Sequence, residues 1–119
     1  EDASRAFWDR LRGAYADPTV FAAHAAELDA IVTWCRERRA RLIVLIIPSL
    51  PDVAGSAAMT SRVAAYCGDR GVDVLDLTPL VVDQKPGELV VNGVDSHANA
   101  ALNARMADLL KRAILAPAN

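Results

Sequence analysis

Leu42-Ile43-Val44-Leu45-Ile46-Ile47, running into Pro48-Ser49-Leu50-Pro51-Asp52, decides the fold. Side chains alternate between the two faces of a strand, so an unbroken apolar run makes both faces apolar. A strand with one wet face would alternate instead, so this run reads as an interior strand of an α/β sheet. An interior strand calls for a neighbour on each side. The prolines at 48 and 51 stop the run. The loop they begin would lie at the carboxyl end of the strand, where open α/β sheets gather their ligands.

Downstream, Gly55-Ser56 leads into a helix whose apolar face is Met59, Val63, Tyr66 and Cys67, with Gly71 as a C-terminal stop. Val72–Leu77 is a second, shorter strand carrying Asp73 and Asp76. Strand, helix and strand make one βαβ unit, which places the two strands parallel. Thr78-Pro79-Leu80 opens a helical turn or loop, and Gln84-Lys85-Pro86-Gly87 is a turn by composition. Glu88-Leu89-Val90-Val91 reads either as a short third strand or as an extended loop. From Ala98 the pattern is helical again, through Leu102, Met106, Leu109, Leu110 and Ala113, until Pro117.

Upstream, Phe7, Trp8, Leu11 and Tyr15 fall at helical spacing within residues 3–15. Asp17-Pro18 is a helix start, with Asp17 as N-cap and Pro18 at the first helical position, where its missing N–H is not needed. Phe21, Ala25, Leu28, Val32 and Cys35 then trace one apolar stripe, and basic residues gather in the last turn, towards Arg39. The Arg36–Arg41 cluster is read as a solvated helix end.

The bulk composition bounds the function. A chain of 119 residues with 53% apolar and 24% charged residues is an ordinary globular domain. A net charge of −2 gives no electrostatic case for nucleic acid or an anionic membrane surface, and 5% aromatics offer no stacking platform for single strands. The longest apolar run is six residues, far short of the roughly 20 that a membrane span needs. Cys35 and Cys67 are read as small buried core residues, with a disulfide between them as the alternative. No CxxC or Cys/His metal spacing occurs. Asp73 and Asp76, three apart on a strand, would point to opposite faces and so do not make a metal site. The sequence therefore calls for no cofactor and no metal. The chain begins at Glu1 rather than methionine, so a processed or cut N-terminus is expected.

The chemistry sits in Asn92-Gly93-Val94-Asp95-Ser96-His97-Ala98-Asn99. A neutral imidazole takes a proton from a hydroxyl nucleophile, and a carboxylate on its other nitrogen fixes the tautomer and stabilises the imidazolium. Asp95 and His97 have the residue types for that pairing, and a turn near Gly93 would bring them together. The same spacing also fits a plain alternative, in which Asp95 or Ser96 caps the last helix and His97 occupies its first turn. Ser49 and Ser96 are weak candidates for a nucleophile, Ser56 and Ser61 read as helix-start polar residues, His24 as solvent-facing or packed, and Trp34 as core or partly buried surface.

The block Asp95-Ser96-His97-Ala98-Asn99-Ala100-Ala101-Leu102-Asn103-Ala104-Arg105-Met106-Ala107 resembles the closing block of the SGNH (GDSL-type) hydrolases, where an Asp and a His precede an Asn and a helix with small residues at set intervals. The order of elements agrees across residues 18–115: a long helix ending Trp34-Cys35-Arg36-Glu37-Arg38, a strand ending Ile47-Pro48, a helix, a Val-Asp-Val-Leu-Asp-Leu strand and the Asp/His loop. The resemblance implies a three-layer α/β/α flavodoxin-like parallel sheet, incomplete in this chain. It also implies an esterase or acyl-transfer site acting on a small-molecule ester, with His97 as general base and Asp95 orienting it.

The chain departs from the family pattern in several places. His97 follows Asp95 by two positions rather than three, Ala98 stands where Pro is common, and Leu102 where Gly is frequent. The family's Gly-Asp-Ser nucleophile block and its Gly and Asn oxyanion donors have no counterpart. Glu1-Asp2-Ala3-Ser4 is not that block, and there is no Gly-x-Ser-x-Gly elbow. Residues 1–119 are thus expected to be a single α/β domain or the C-terminal segment of a larger SGNH-type domain. An upstream segment or a second copy would complete the sheet, and the serine is expected upstream of this chain. The rival expectation is a non-catalytic α/β module for binding or assembly.

Overall fold

The computed structural model of the chain describes residues 2–117, with side chains from residue 5 onward. The chain divides into two compact units, 1–42 and 43–119.

The first unit is a pair of helices, α1 (Asp2–Ala16) and α2 (Pro18–Glu37). Asp17 between them caps α2 as its residue type requires: its carboxylate accepts from the N–H groups of Thr19 at 2.7 Å and Val20 at 3.1 Å, with Pro18 at the first position. The expected stripe is buried at Phe21, Ala25, Val32 and Cys35. The helix stops at Glu37, slightly before the expected Arg39, because Arg39 turns left-handed at φ 52° and lets the Ala40 N–H reach back to the Cys35 carbonyl at 2.9 Å. Trp34 is more exposed than its helical position suggests. It is 55% exposed, with the Arg38 guanidinium 4.2 Å above its ring. His24 packs edge-on against Tyr15 and Phe21.

The second unit begins with the βαβ unit. Its strands are β1 (Ile43–Ile46) and β2 (Asp73–Asp76), joined by α3 (Val53–Gly68) after a 3₁₀ turn at Leu50–Asp52. The two strands are parallel in the register Ile43↔Asp73 to Ile46↔Asp76, and the Leu77 N–H extends the ladder to the Ile46 carbonyl at 3.0 Å. Helix α3 starts two residues earlier than Gly55 suggests, because the Asp52 carboxylate caps it by accepting from the Gly55 N–H at 2.9 Å. A Cβ at position 55 would collide with that carboxylate, so glycine is what admits the cap.

Two short helices come next, α4 (Thr78–Val81) and α5 (Pro86–Leu89), and then α6 (Ala100–Leu115). The Asp76 carboxylate accepts from the Thr78 N–H at 2.9 Å where α4 begins. The segment 88–91 is not a third strand. Pro86 starts a helical turn, and the Glu88 carboxylate takes the Lys85 N–H at 3.0 Å. Only Val90 keeps an extended pairing, one antiparallel bridge to Ala98. The core gathers Leu50, Val53, Leu77, Val81, Leu89, Val90, Leu102 and Met106, with Leu45, Ala98 and Leu109 packed against it.

Among the described residues the sheet holds two strands, so the multi-stranded sheet expected of a three-layer sandwich is not present within them. That changes the reading of β1. Ile43, Val44 and Leu45 are half-buried rather than buried, and Ile47 just beyond is 48% exposed. In a strand each residue's N–H and C=O point to one edge, and alternate residues point to opposite edges. Ile46 faces β2, so Ile43, Leu45 and Ile47 direct their backbone groups to an edge with no strand beside it among the described residues. No helix among them is long and apolar enough to cross a membrane.

Candidate acid–base site

The loop between the Val90–Ala98 bridge and its tip carries Asp95 and His97. Its base is held by main-chain bonds. The Val91 N–H donates to the His97 carbonyl at 3.0 Å, and the Asn99 N–H to the Leu89 carbonyl at 2.8 Å. Beneath it, Leu89, Val90 and Leu102 are buried in the core shared with Leu50. The loop and the turn after β1 are therefore anchored in one apolar cluster.

Asp95 Oδ1 lies 2.6 Å from His97 Nδ1 and also accepts the His97 backbone N–H at 3.0 Å. One oxygen thus closes a turn over the Ser96 peptide and holds the ring. With Asp95 ionised, Nδ1 is the donor, which leaves Nε2 as the acceptor of the neutral ring. Nε2 has no partner among the described residues, and the His97 side chain is 91% exposed against 46% for Asp95. The backbone N–H of His97, its ring N–H and its charge hold the Asp95 carboxyl below the usual carboxylate range, the backbone bond contributing most.

The helix-cap alternative is answered by a different residue. Helix α6 begins at Ala100 rather than Ala98, and Asn99 caps it. The Asn99 Oδ1 accepts from the Leu102 N–H at 2.9 Å, while its Nδ2 donates to the Glu88 carbonyl at 2.8 Å. Neither Asp95 nor Ser96 caps α6. Asn92 does not stand out in the sequence as a site residue, yet its Oδ1 accepts from the N–H groups of Val94 at 2.8 Å and Asp95 at 2.9 Å. The Asn92-Gly93 dipeptide, a strong turn signal, is the clue to it.

The other candidates separate clearly. Ser56 is buried, donates to the Val53 carbonyl and accepts the Ser49 N–H, both at 3.0 Å, which is structural work. Ser61 donates to the Ala58 carbonyl. Ser49 Oγ is buried and finds no hydrogen-bond partner among the described residues. Ser96 is exposed. The side chain of Ser4 lies outside the described residues. Cys35 and Cys67 are both buried and free, and burial pushes the Cys67 thiol up. Among the described residues no three His, Cys, Asp or Glu side chains gather as a metal site. The chain matches no protein-family model, no curated protein and no solved structure.

Proposed function

We propose that this chain carries the acid–base half of an ester-hydrolase site of the SGNH type. The observation that carries the reading is the 2.6 Å contact between Asp95 Oδ1 and His97 Nδ1, with Nε2 left open to solvent. That is the arrangement in which a carboxylate fixes the tautomer of a general base. The nucleophilic serine and the oxyanion donors come from a segment upstream of Glu1. Its hydroxyl attacks the ester carbonyl as His97 Nε2 takes the proton, and His97 returns that proton to the departing alcohol. Water then attacks the acyl-serine, with the same nitrogen accepting and returning its proton. Asp95 stays ionised throughout and holds Nδ1.

Two features outside the loop support an added segment. Among the described residues the edge of β1 at Ile43, Leu45 and Ile47 has no strand beside it and offers their backbone groups to one, and Ser49 Oγ at its carboxyl end is buried without a partner among them. A strand there would bury β1 on both edges and extend the sheet towards the three-layer, flavodoxin-like arrangement.

The test is hydrolysis of a short p-nitrophenyl ester by the polypeptide encoded by the whole reading frame. His97→Ala is expected to lower kcat/KM by about 10²–10⁴-fold. Wild-type activity in that variant overturns the reading. The 119-residue chain by itself should be inactive, and His97-dependent turnover by it would overturn the placement of the nucleophile upstream.

The high exposure of His97 favours a second reading, a non-catalytic α/β module for binding or assembly. On that reading the whole polypeptide shows no esterase activity and no serine that reacts with a fluorophosphonate.

A further inference from the structure

The Asp95–His97 pair sits where packing cannot hold it. None of the residues from Asn92 to His97 is buried, and Val94 at the tip is 99% exposed. Ordering exposed residues costs conformational entropy that no burial offsets here. Something other than burial must therefore aim the carboxylate.

Two side-chain turns, one nested against the other, fill that role. Asn92 Oδ1 accepts from the N–H groups of Val94 and Asp95, while the Asn92 N–H donates to the Asp95 carbonyl at 3.2 Å. Asn92 thus grips the peptide groups on both sides of the Asp95 Cα. That grip fixes where the Asp95 Cβ points. Asp95 repeats the device one step on, accepting the His97 N–H and the His97 ring nitrogen with one oxygen. The direction of the imidazole is set through Asp95, and the direction of Asp95 through Asn92.

We infer that Asn92 is the positioning residue of the Asp95–His97 pair, holding the carboxylate on Nδ1 so that Nε2 is presented as the proton acceptor. The inference rests on the acid–base reading of that pair for its functional meaning, but its structural content is measurable without activity. A side chain that only shapes the loop would leave the imidazole tautomer alone, whereas a positioning residue sets it.

The experiment is ¹⁵N NMR of the His97 ring in the 119-residue chain, on the alkaline side of the imidazole titration. The native chain is expected to show Nδ1 protonated and Nε2 bare. Asn92→Ala should shift the ring towards the Nε2-protonated tautomer. Asn92→Asp, which keeps the acceptor oxygen, should restore the native ratio. An unchanged ratio in Asn92→Ala overturns the inference, as does a failure of Asn92→Asp to restore it. Should Asn92→Ala lose its helical circular dichroism, Asn92→Asp and Asn92→Ser carry the comparison, with serine's shorter reach expected to give the intermediate ratio. In the whole polypeptide, Asn92→Ala should lower kcat by about 10-fold with KM unchanged, since misplacement rather than lost binding is the cause. A rise in KM with kcat kept would overturn the positioning role. The esterase reading is judged separately, by His97→Ala.

Discussion

Replacing Asn99 by alanine tests how the loop and the last helix are joined. Its side chain makes two bonds of different kinds. The Oδ1 acceptance from Leu102 N–H is an N-cap, worth about 1 kcal/mol when Asn is replaced by Ala. The Nδ2 donation to the Glu88 carbonyl ties α6 to α5 and is a further hydrogen bond of about 1 kcal/mol. Asn99→Ala is thus expected to cost about 2 kcal/mol, the two bonds involving separate atoms. With a urea slope near 2 kcal/mol/M, that shifts the unfolding midpoint down by about 1 M. Asn99→Asp keeps the acceptor and loses the donor, so it should cost about half as much, eased by its charge at a helix N-terminus. Far-UV circular dichroism is the readout, because both tryptophans, Trp8 and Trp34, lie on α1 and α2. Asp95→Ala serves as the contrast and should shift the midpoint less than Asn99→Ala, since Asp95 caps nothing. Equal losses for the alanine and aspartate variants at 99 would refute the two-bond reasoning. So would a larger loss at 95 than at 99.

The Asp95 carboxyl, held down by the His97 N–H and ring, should titrate below the ordinary carboxylate range in ¹³C NMR. The order it lends the loop is then complete above the unfolded-state value and is lost as pH falls through the lower folded value; titration at the ordinary value would contradict the Asp95–His97 contact. Leu102→Ala, at a site 2% exposed beneath the loop, should cost about 2–5 kcal/mol in urea unfolding, and a loss under about 1 kcal/mol would mean that this cluster is not the core. Arg39→Gly should stabilise the chain by about 0.5–1 kcal/mol, because a left-handed non-glycine residue ends α2; a destabilised variant would count against that geometry. Cys67 should react with a thiol reagent only as fast as the native chain opens, being buried and pushed up; prompt reaction would contradict its burial.

The sequence speaks most clearly where one residue's chemistry has one use. Asp17-Pro18 marks the start of α2 because a carboxylate cap and a proline at the first position serve the same end. The apolar run and the Val72–Leu77 segment form the parallel pair, each trimmed at its ends to four residues. What misleads is context. The apolar run predicts a strand buried on both sides, yet β1 is half-buried and pairs on one edge only among the described residues, because burial depends on neighbours and not on the run itself. Val90 and Val91 have strand chemistry, but Pro86 and Glu88 start a helical turn just before them and leave room for one bridge. At the site, Asp95 and His97 are legible as residue types. The assignment of the helix cap is not, since Asp95, Ser96 and Asn99 are all good caps in sequence and only the path of the chain gives the role to Asn99. Asn92 escapes notice as a site residue because its effect passes through backbone N–H groups rather than through a reacting atom.

Asp95 and His97 are proposed to act as one acid–base unit. A double-mutant cycle on the whole polypeptide, comparing Asp95→Ala, His97→Ala and the pair in p-nitrophenyl ester hydrolysis, measures it most directly. If Asp95 acts only by holding His97, the double variant should be no slower than His97→Ala alone, because residues that work as a unit are non-additive. Losses that multiply independently, or a His97→Ala variant as fast as the native polypeptide, would contradict it.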